Sequence, residues 1–315
     1  MISTLKQAKK IFDENFKCKK NEKALIVTDD SLFGIGKILY DAAIDYGLDA
    51  VIMSMKPRFE SADEPPEVIY RAMQAANVII IPTLKSLTHT KARRDACSNG
   101  ARVATMPGIT MPVFNRILAC DYVLLRKLSA KLEKKLVGVE KIRVMTKLGT
   151  DITFYIKGRI VESDVGVFYN KGDYGNLPAG EVSLSPIENS TEGVYYIDGS
   201  VFEKKVKKPI KVTVKRGYAT AIEGDNFAKE IFSRLKSVGK NAFNIAELGI
   251  GTNPCAILTG NILEDEKIYG TCHIAFGNNK SYGGNVDVAM HQDAIIKSPT
   301  IYFDGKKIML NGELL

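Results

Sequence analysis

Four short and almost uninterrupted apolar runs, ALIVTDD (24–30), AVIMSM (50–55), VIIIPT (78–83) and ARVATMP (101–107), leave the first third of the chain little freedom of architecture. Continuous β-branched runs of this length are what strands buried on both faces require. Between them, GKILYDAAIDYGL (36–48), EVIYRAMQAA (67–76) and KARRDACSNG (91–100) carry the spacing of amphipathic helices. Strand, helix and strand in repetition predict an α/β, doubly wound parallel sheet. Such sheets often bind nucleotides at the carboxyl ends of their strands, but FGIG after the first run is a poor phosphate loop. Gly34 and Gly36 are followed by Ile38 and Leu39 instead of a third glycine, so a strand-to-helix turn with Gly36 opening the helix is expected.

Beyond a mostly helical stretch (112–138) the texture changes. RVMT (143–146), DITFYIKGR (151–159), EVSLSP (181–186), GVYYIDGSV (193–201), IKVTVKRGYATAIEG (210–224) and TIYFDGKKIML (300–310) alternate apolar with polar residues and are separated by Gly, Pro, Asn and Asp turns. That pattern predicts an α+β, largely antiparallel domain of half-buried strands. One helix, DNFAKEIFSRLKSVG (225–239), interrupts it, with Asp225 as N-cap and Gly239 as its stop. The expected division is a Rossmann-like domain over 1–125 and a β-rich, metal-binding catalytic domain over 126–315.

Composition removes several classes of function. The net charge of +8 invites a nucleic-acid reading, yet the basic residues of RKLSAKLEKKL (126–136) and EKKVKKPIKVTVKR (203–216) are interleaved with apolar ones at the period of a solvated face. Aromatic interleaving and a recognisable binding motif are both missing, so no nucleic-acid partner is expected. Cys18, Cys97, Cys120, Cys255 and Cys272 are odd in number and scattered, which suits a reducing compartment. Cys255 and Cys272 lack a basic neighbour in sequence and read as small buried residues, not nucleophiles. The N-terminal MISTLKQAKKIFDENFKCKK reads as a helix and not a signal peptide, and no apolar run is long enough to cross a bilayer. A soluble cytoplasmic protein without a membrane partner is therefore expected.

Of only three histidines, two lie close together: His273 in GTCHIAFGNN and His291 in AMHQD. In an extended strand His291 and Asp293 project from the same face, and two imidazoles with a carboxylate suit zinc or iron. Glu181, after LPAG, and Glu247, between NIA and LGIGTNP, are carboxylates set among apolar residues and glycine turns. Burying them uncompensated is costly, and a cation resolves the cost. Taken singly, each reads as an ordinary strand or turn residue; together they read as a metal site. His89 reads as a turn residue beside the capping residues Thr88 and Thr90.

At these residues the chain resembles a known family. NLPAGEVSLSPIENSTEGVYYIDGSV, AELGIGTNP, GTCHIAFGNN and HQD resemble the aminopeptidase T family (peptidase family M29), and THTKARRDACSNGARVATMPG (88–108) resembles its N-terminal domain. The resemblance implies two metal ions held by Glu181, Glu247, His273, His291 and Asp293, and a homodimer. The family's active-site tyrosine has its nearest counterpart in Tyr282 of NKSYGG, which lies a little further along the chain. The superfamily also includes an iron-dependent dioxygenase that opens the ring of 2,5-dihydroxypyridine with a His, His, Asp triad.

The first expectation is thus a metallo-aminopeptidase acting on short peptides, with zinc, cobalt or manganese as its ions. A water between them would attack the peptide carbonyl, Glu181 or Glu247 would act as bridging ligand or general base, and Tyr282 would stabilise the oxyanion. The alternative is a ring-cleaving dioxygenase with one Fe(II) on His273, His291 and Asp293 and a small-molecule substrate. A third reading, a non-catalytic dimeric binding protein with structural carboxylates, would be favoured by finding the five residues far apart.

Overall fold

The computed structural model describes residues 2–315. The chain divides into two compact units: Met1–Tyr122 with Asp164–Ala179, and Val123–Ser163 with Gly180–Leu315.

In the first unit α1 (Ile2–Lys10) leads to β1 (Lys23–Asp29), α2 (Phe33–Tyr46), β2 (Asp49–Met55), α3 (Glu67–Ala75), β3 (Val78–Ile81), α4 (Lys91–Ser98), β4 (Arg102–Thr105) and α5 (Met111–Ala119). The strands pair in parallel in the order β2-β1-β3-β4. Ile69 and Met73 of α3 and Ala92 and Ala96 of α4 pack on Leu25, Val27, Ile79, Ile81 and Val103. The alternate positions Ile26, Val78, Ile80 and Ala104 are also fully or almost fully buried, as the opposite face of a covered sheet must be. The run at 50–55 departs from expectation. β2 is an edge strand, so Val51 is exposed and the strand is only partly buried. Neither glycine of FGIG turns the chain, because α2 already begins at Phe33. Gly36 is needed for close approach instead: a Cβ there would lie 2.9 Å from Cβ of Thr28 on β1. Thr90, not Thr88, caps α4, and His89 is exposed.

The chain continues through α6 (Tyr122–Leu136), β5 (Lys141–Met145), β6 (Asp151–Tyr155) and β7 (Val161–Asp164). It then returns to the first unit, where β8 (Tyr174–Asn176) adds to β4 in parallel. The rest belongs to the second unit: β9 (Glu181–Leu184), β10 (Glu192–Ile197), β11 (Ser200–Val201), β12 (Lys204–Lys205), β13 (Ile210–Lys215), β14 (Tyr218–Glu223) and α7 (Asn226–Val238). After these come β15 (Ile245–Gly251), the short α8 (Ile262–Asp265), β16 (Thr271–Gly277), β17 (His291–Lys297), β18 (Thr300–Phe303), β19 (Lys306–Leu310) and β20 (Glu313–Leu314).

These strands form an eight-stranded sheet, β14-β13-β10-β6-β5-β18-β19-β20, and a seven-stranded sheet, β12-β11-β17-β16-β15-β9-β7. Ile142, Ile152, Tyr195 and Val212 of the first share one core with Leu184, Leu248, Ile274 and Ile296 of the second. Leu132 and Leu136 of α6 and Ile231 and Leu235 of α7 join it. One parallel α/β unit and one antiparallel, β-rich unit are what the two hydrophobic textures imply. Among the described residues no helix is long and apolar enough to cross a membrane.

Candidate metal centre

Strict alternation separates the two faces of the seven-stranded sheet. Val182 and Leu184, Leu248 and Ile250, Cys272, Ile274 and Phe276, and Ala294 and Ile296 point into the core. Their neighbours therefore point to the other face: Glu181 on β9, Glu247, Gly249 and Gly251 on β15, His273 and Ala275 on β16, and His291 and Asp293 on β17. The register brings them together, with Ala275 opposite both Glu247 and Asp293, His273 opposite Gly249, and Glu181 opposite Gly251.

Two local features make this convergence work. The register shifts between Ile245 and Glu247, so both are displaced by an extra residue and face opposite ways. Without that bulge Glu247 would enter the core beside Ile245. The second feature is Gly249, where a Cβ would lie 2.1 Å from Nε2 of His273; the imidazole occupies the volume that any other residue's side chain would fill.

The resulting distances are short. His273 Nε2 lies 3.2 Å from Glu181 Oε2, 3.8 Å from Glu247 Oε1 and 3.9 Å from Asp293 Oδ1. His291 Nε2 lies 3.0 Å from Glu247 Oε2 and 3.6 Å from Asp293 Oδ1. Two overlapping ligand groups result, Glu181/Glu247/His273 and Glu247/His291/Asp293. The Tyr282 ring stacks on His291 with centroids 5.0 Å apart. All six residues expected from the sequence thus meet at one place, which counts against the reading that their separation would have favoured.

Electrostatics follow from the crowding. Burial raises the Glu181 carboxyl, but the Lys267 ammonium and His273 more than reverse it, to about 2. Glu247 is likewise brought to about 2, burial being outweighed by hydrogen bonds from His273 and His291. Burial alone would depress both imidazoles, yet the surrounding carboxylates hold His273 and His291 well above the usual histidine value. Tyr282 is pushed well above the usual phenol value, first by the Glu247 charge and then by burial.

The donor set fits a divalent cation. Without one, the site face concentrates three carboxylates around two imidazole nitrogens, and Glu181 Oε2 and His273 Nδ1 are buried without a well-formed hydrogen bond. His291 Nδ1 lies 2.8 Å from the Asn278 carbonyl, which can only accept, so the ring N–H is there and the Nε2 lone pair of the neutral ring faces the carboxylates.

The sequence reading missed one charged group. Lys267, in the run EDEK, is 1% exposed and ion-paired with Glu181 and, at 2.8 Å, with Glu266. A charge run is ordinarily a solvated face, but the turn carrying this one lies on Gly251, where a Cβ would be 2.0 Å from the Ile268 carbonyl. The only hint in the sequence is the glycine pair of LGIG, which permits such close approach. Cys272 is buried as expected and its thiol is raised by burial, whereas Cys255 is only half-buried.

Residues 52–315 match the family model described as NicX, 2,5-dihydroxypyridine 5,6-dioxygenase. The chain belongs to the 2,5-dihydroxypyridine 5,6-dioxygenase family. A curated relative of that name from Pseudomonas putida is 24% identical over 260 residues, covering 78% of this chain and 73% of the relative. The solved structure of 2,5-dihydroxypyridine dioxygenase from Pseudomonas putida superposes with a TM-score of 0.84 over 99% of this chain and 96% of that one, at 17% identity. Wild-type AmpT from Thermus thermophilus superposes with a TM-score of 0.70 over 99% and 98%, at 15% identity. At such identities the superpositions establish a shared fold and nothing more.

Membership in the dioxygenase family corrects the first expectation. The family model and the curated relative both name a ring dioxygenase, so the aminopeptidase, hydrolase and metalloprotease assignments are withdrawn. The correction has a physical source: the two superposed structures share one fold with this chain, and a shared fold does not fix the reaction.

Proposed function

We propose that this chain is an Fe(II)-dependent dioxygenase that opens the ring of 2,5-dihydroxypyridine or of a close dihydroxylated relative, using both atoms of O2. The observation that carries the reading is the approach of two imidazole Nε2 atoms to one carboxylate oxygen, 3.9 and 3.6 Å from Asp293 Oδ1, in a chain of this family. His273, His291 and Asp293 are the proposed iron ligands, the two-histidine, one-carboxylate set of non-heme Fe(II) oxygenases. Iron(II) bound there supplies the electron-transfer chemistry that lets triplet O2 react with an electron-rich ring. We propose the remaining groups as hydrogen-bonding partners of the ring. Glu247, held ionised between the imidazoles, accepts a hydrogen bond from a ring hydroxyl and orients it. Tyr282, held protonated by the same carboxylate, donates a hydrogen bond to oxygen on the ring as charge develops.

The test is anaerobic loading of the metal-free protein with Fe(II), followed by 2,5-dihydroxypyridine and a measured amount of O2. One O2 consumed per ring lost is expected. Iron-loaded protein that consumes no O2 with this substrate would overturn the reading.

A further inference from the structure

Lys267 is the one buried lysine side chain at the site, and its surroundings are built to keep it there. Its backbone carbonyl accepts from Asn253 N–H at 2.8 Å, and Tyr269 N–H donates back to Asn253 at 3.0 Å. The preceding Asp265, fully buried, accepts from Ser200 Oγ at 2.6 Å and from the backbone N–H of Gly260 at 2.8 Å. These bonds fix the turn that delivers the ammonium to Glu181.

The site face offers two overlapping ligand groups that share Glu247. Three carboxylates and two imidazoles supply donors enough for two divalent ions. One of the groups, however, contains Glu181, whose Oε1 is paired with the Lys267 ammonium. A divalent ion on Glu181 would sit beside a buried ammonium that Glu266, its other carboxylate partner at 2.8 Å, holds in the same place.

We propose that Lys267 takes the place of a second metal ion: its ammonium occupies Glu181, closes the Glu181/Glu247/His273 group to divalent cations, and leaves one ion for His273, His291 and Asp293. This rests on the one-iron reading above and assigns the residue that sets the metal count. Lys267 is accordingly a positioning residue, acting on the site through Glu181.

The experiment is titration of metal-free protein with cobalt(II) alone, followed by visible absorption and by metal content per chain. The wild type should saturate at one cobalt, and Lys267→Arg likewise. Lys267→Met, similar in length and uncharged, should take up a second cobalt at least ten-fold more tightly than the wild type does, and Lys267→Met with Glu181→Gln should return to one. Two tightly bound cobalt ions in the wild type would overturn the proposal, as would a folded Lys267→Met that still binds one. If Lys267→Met does not fold, Glu181→Gln alone decides: one cobalt with little change in affinity is expected, and loss of cobalt refutes it. These readouts are independent of O2 consumption, so failure here is distinguishable from failure of the dioxygenase reading.

Discussion

Along β3 every residue from Val78 to Ile81 is buried and every one is aliphatic; along β16 every residue from Thr271 to Gly277 is buried as well, yet only alternate ones are core. In the parallel sheet both faces are covered by helices, and the polar side chains of β1 and β4, Thr28, Asp29, Arg102 and Thr105, lie at the strand ends. The seven-stranded sheet closes its core with Cys272, Ile274 and Phe276 and leaves the face of His273 and Ala275 for polar groups that tolerate burial only in company. Burial therefore does not by itself distinguish core from site; the face does.

The largest expected effects break the comparison at adjacent positions of one sheet. Ile274→Ala should cost about 2–5 kcal/mol of stability by leaving a cavity, while metal per folded chain stays unchanged. Asp293→Ala should abolish metal binding while the metal-free protein unfolds within a few degrees of the wild type. Ile79→Ala in the parallel sheet should match Ile274→Ala in stability and also leave the metal alone. Thermal melting beside metal content measures all three. An Asp293→Ala protein that keeps its metal would show that the face assignment is wrong.

How much of this was legible in the sequence follows the same division. Continuous apolar runs revealed β1, β3 and β4 because both faces of each need them, and they misled at β2 only because edge position is a property of the sheet and not of the strand. His291 and Asp293 were legible as a pair from their two-residue spacing. Glu247 could be singled out but not placed on a face, because the bulge that turns it lies between strands. Lys267 and the return of residues 164–179 to the first unit were not legible at all. Each depends on contacts between segments far apart in the chain, and EDEK looks like any solvated run.

A medium effect sharpens the comparison through pH, because only the second unit gathers shifted histidines. The folded values of His273 and His291 lie above the ordinary one of about 6.5, so the stability they contribute is complete below that value and is lost as pH rises through the folded values. Glu181 and Glu247, at about 2, contribute stability that is present above their ordinary value and lost as pH falls toward 2. The metal-free protein should therefore melt several degrees lower at pH 8 than at pH 6, taking roughly 2–4 °C per kcal/mol. Added Mn(II) should raise the melting temperature more at pH 8 than at pH 6, because a cation competes with fewer imidazole protons as pH rises. A larger metal-induced rise at pH 6 would contradict this account.

The smallest effect compares one helix cap from each unit. Thr90 is fully buried, and its hydroxyl both accepts from Arg93 N–H at 3.2 Å and donates to the Leu87 carbonyl at 2.7 Å. The carboxylate of the exposed Asp225 accepts from Phe227 N–H at 2.9 Å. Replacing either with Ala removes a cap, but at Thr90 it also removes a second bond, leaving the Leu87 carbonyl with the Thr90 N–H alone at 3.2 Å. Thr90→Ala should therefore cost about 1–2 kcal/mol and Asp225→Ala about 0.5–1 kcal/mol, where water can reach the freed N–H. Amide hydrogen exchange in α4 and α7 reads the two losses separately, and a greater loss of protection in α7 would mean that burial of the cap is not what sets its worth.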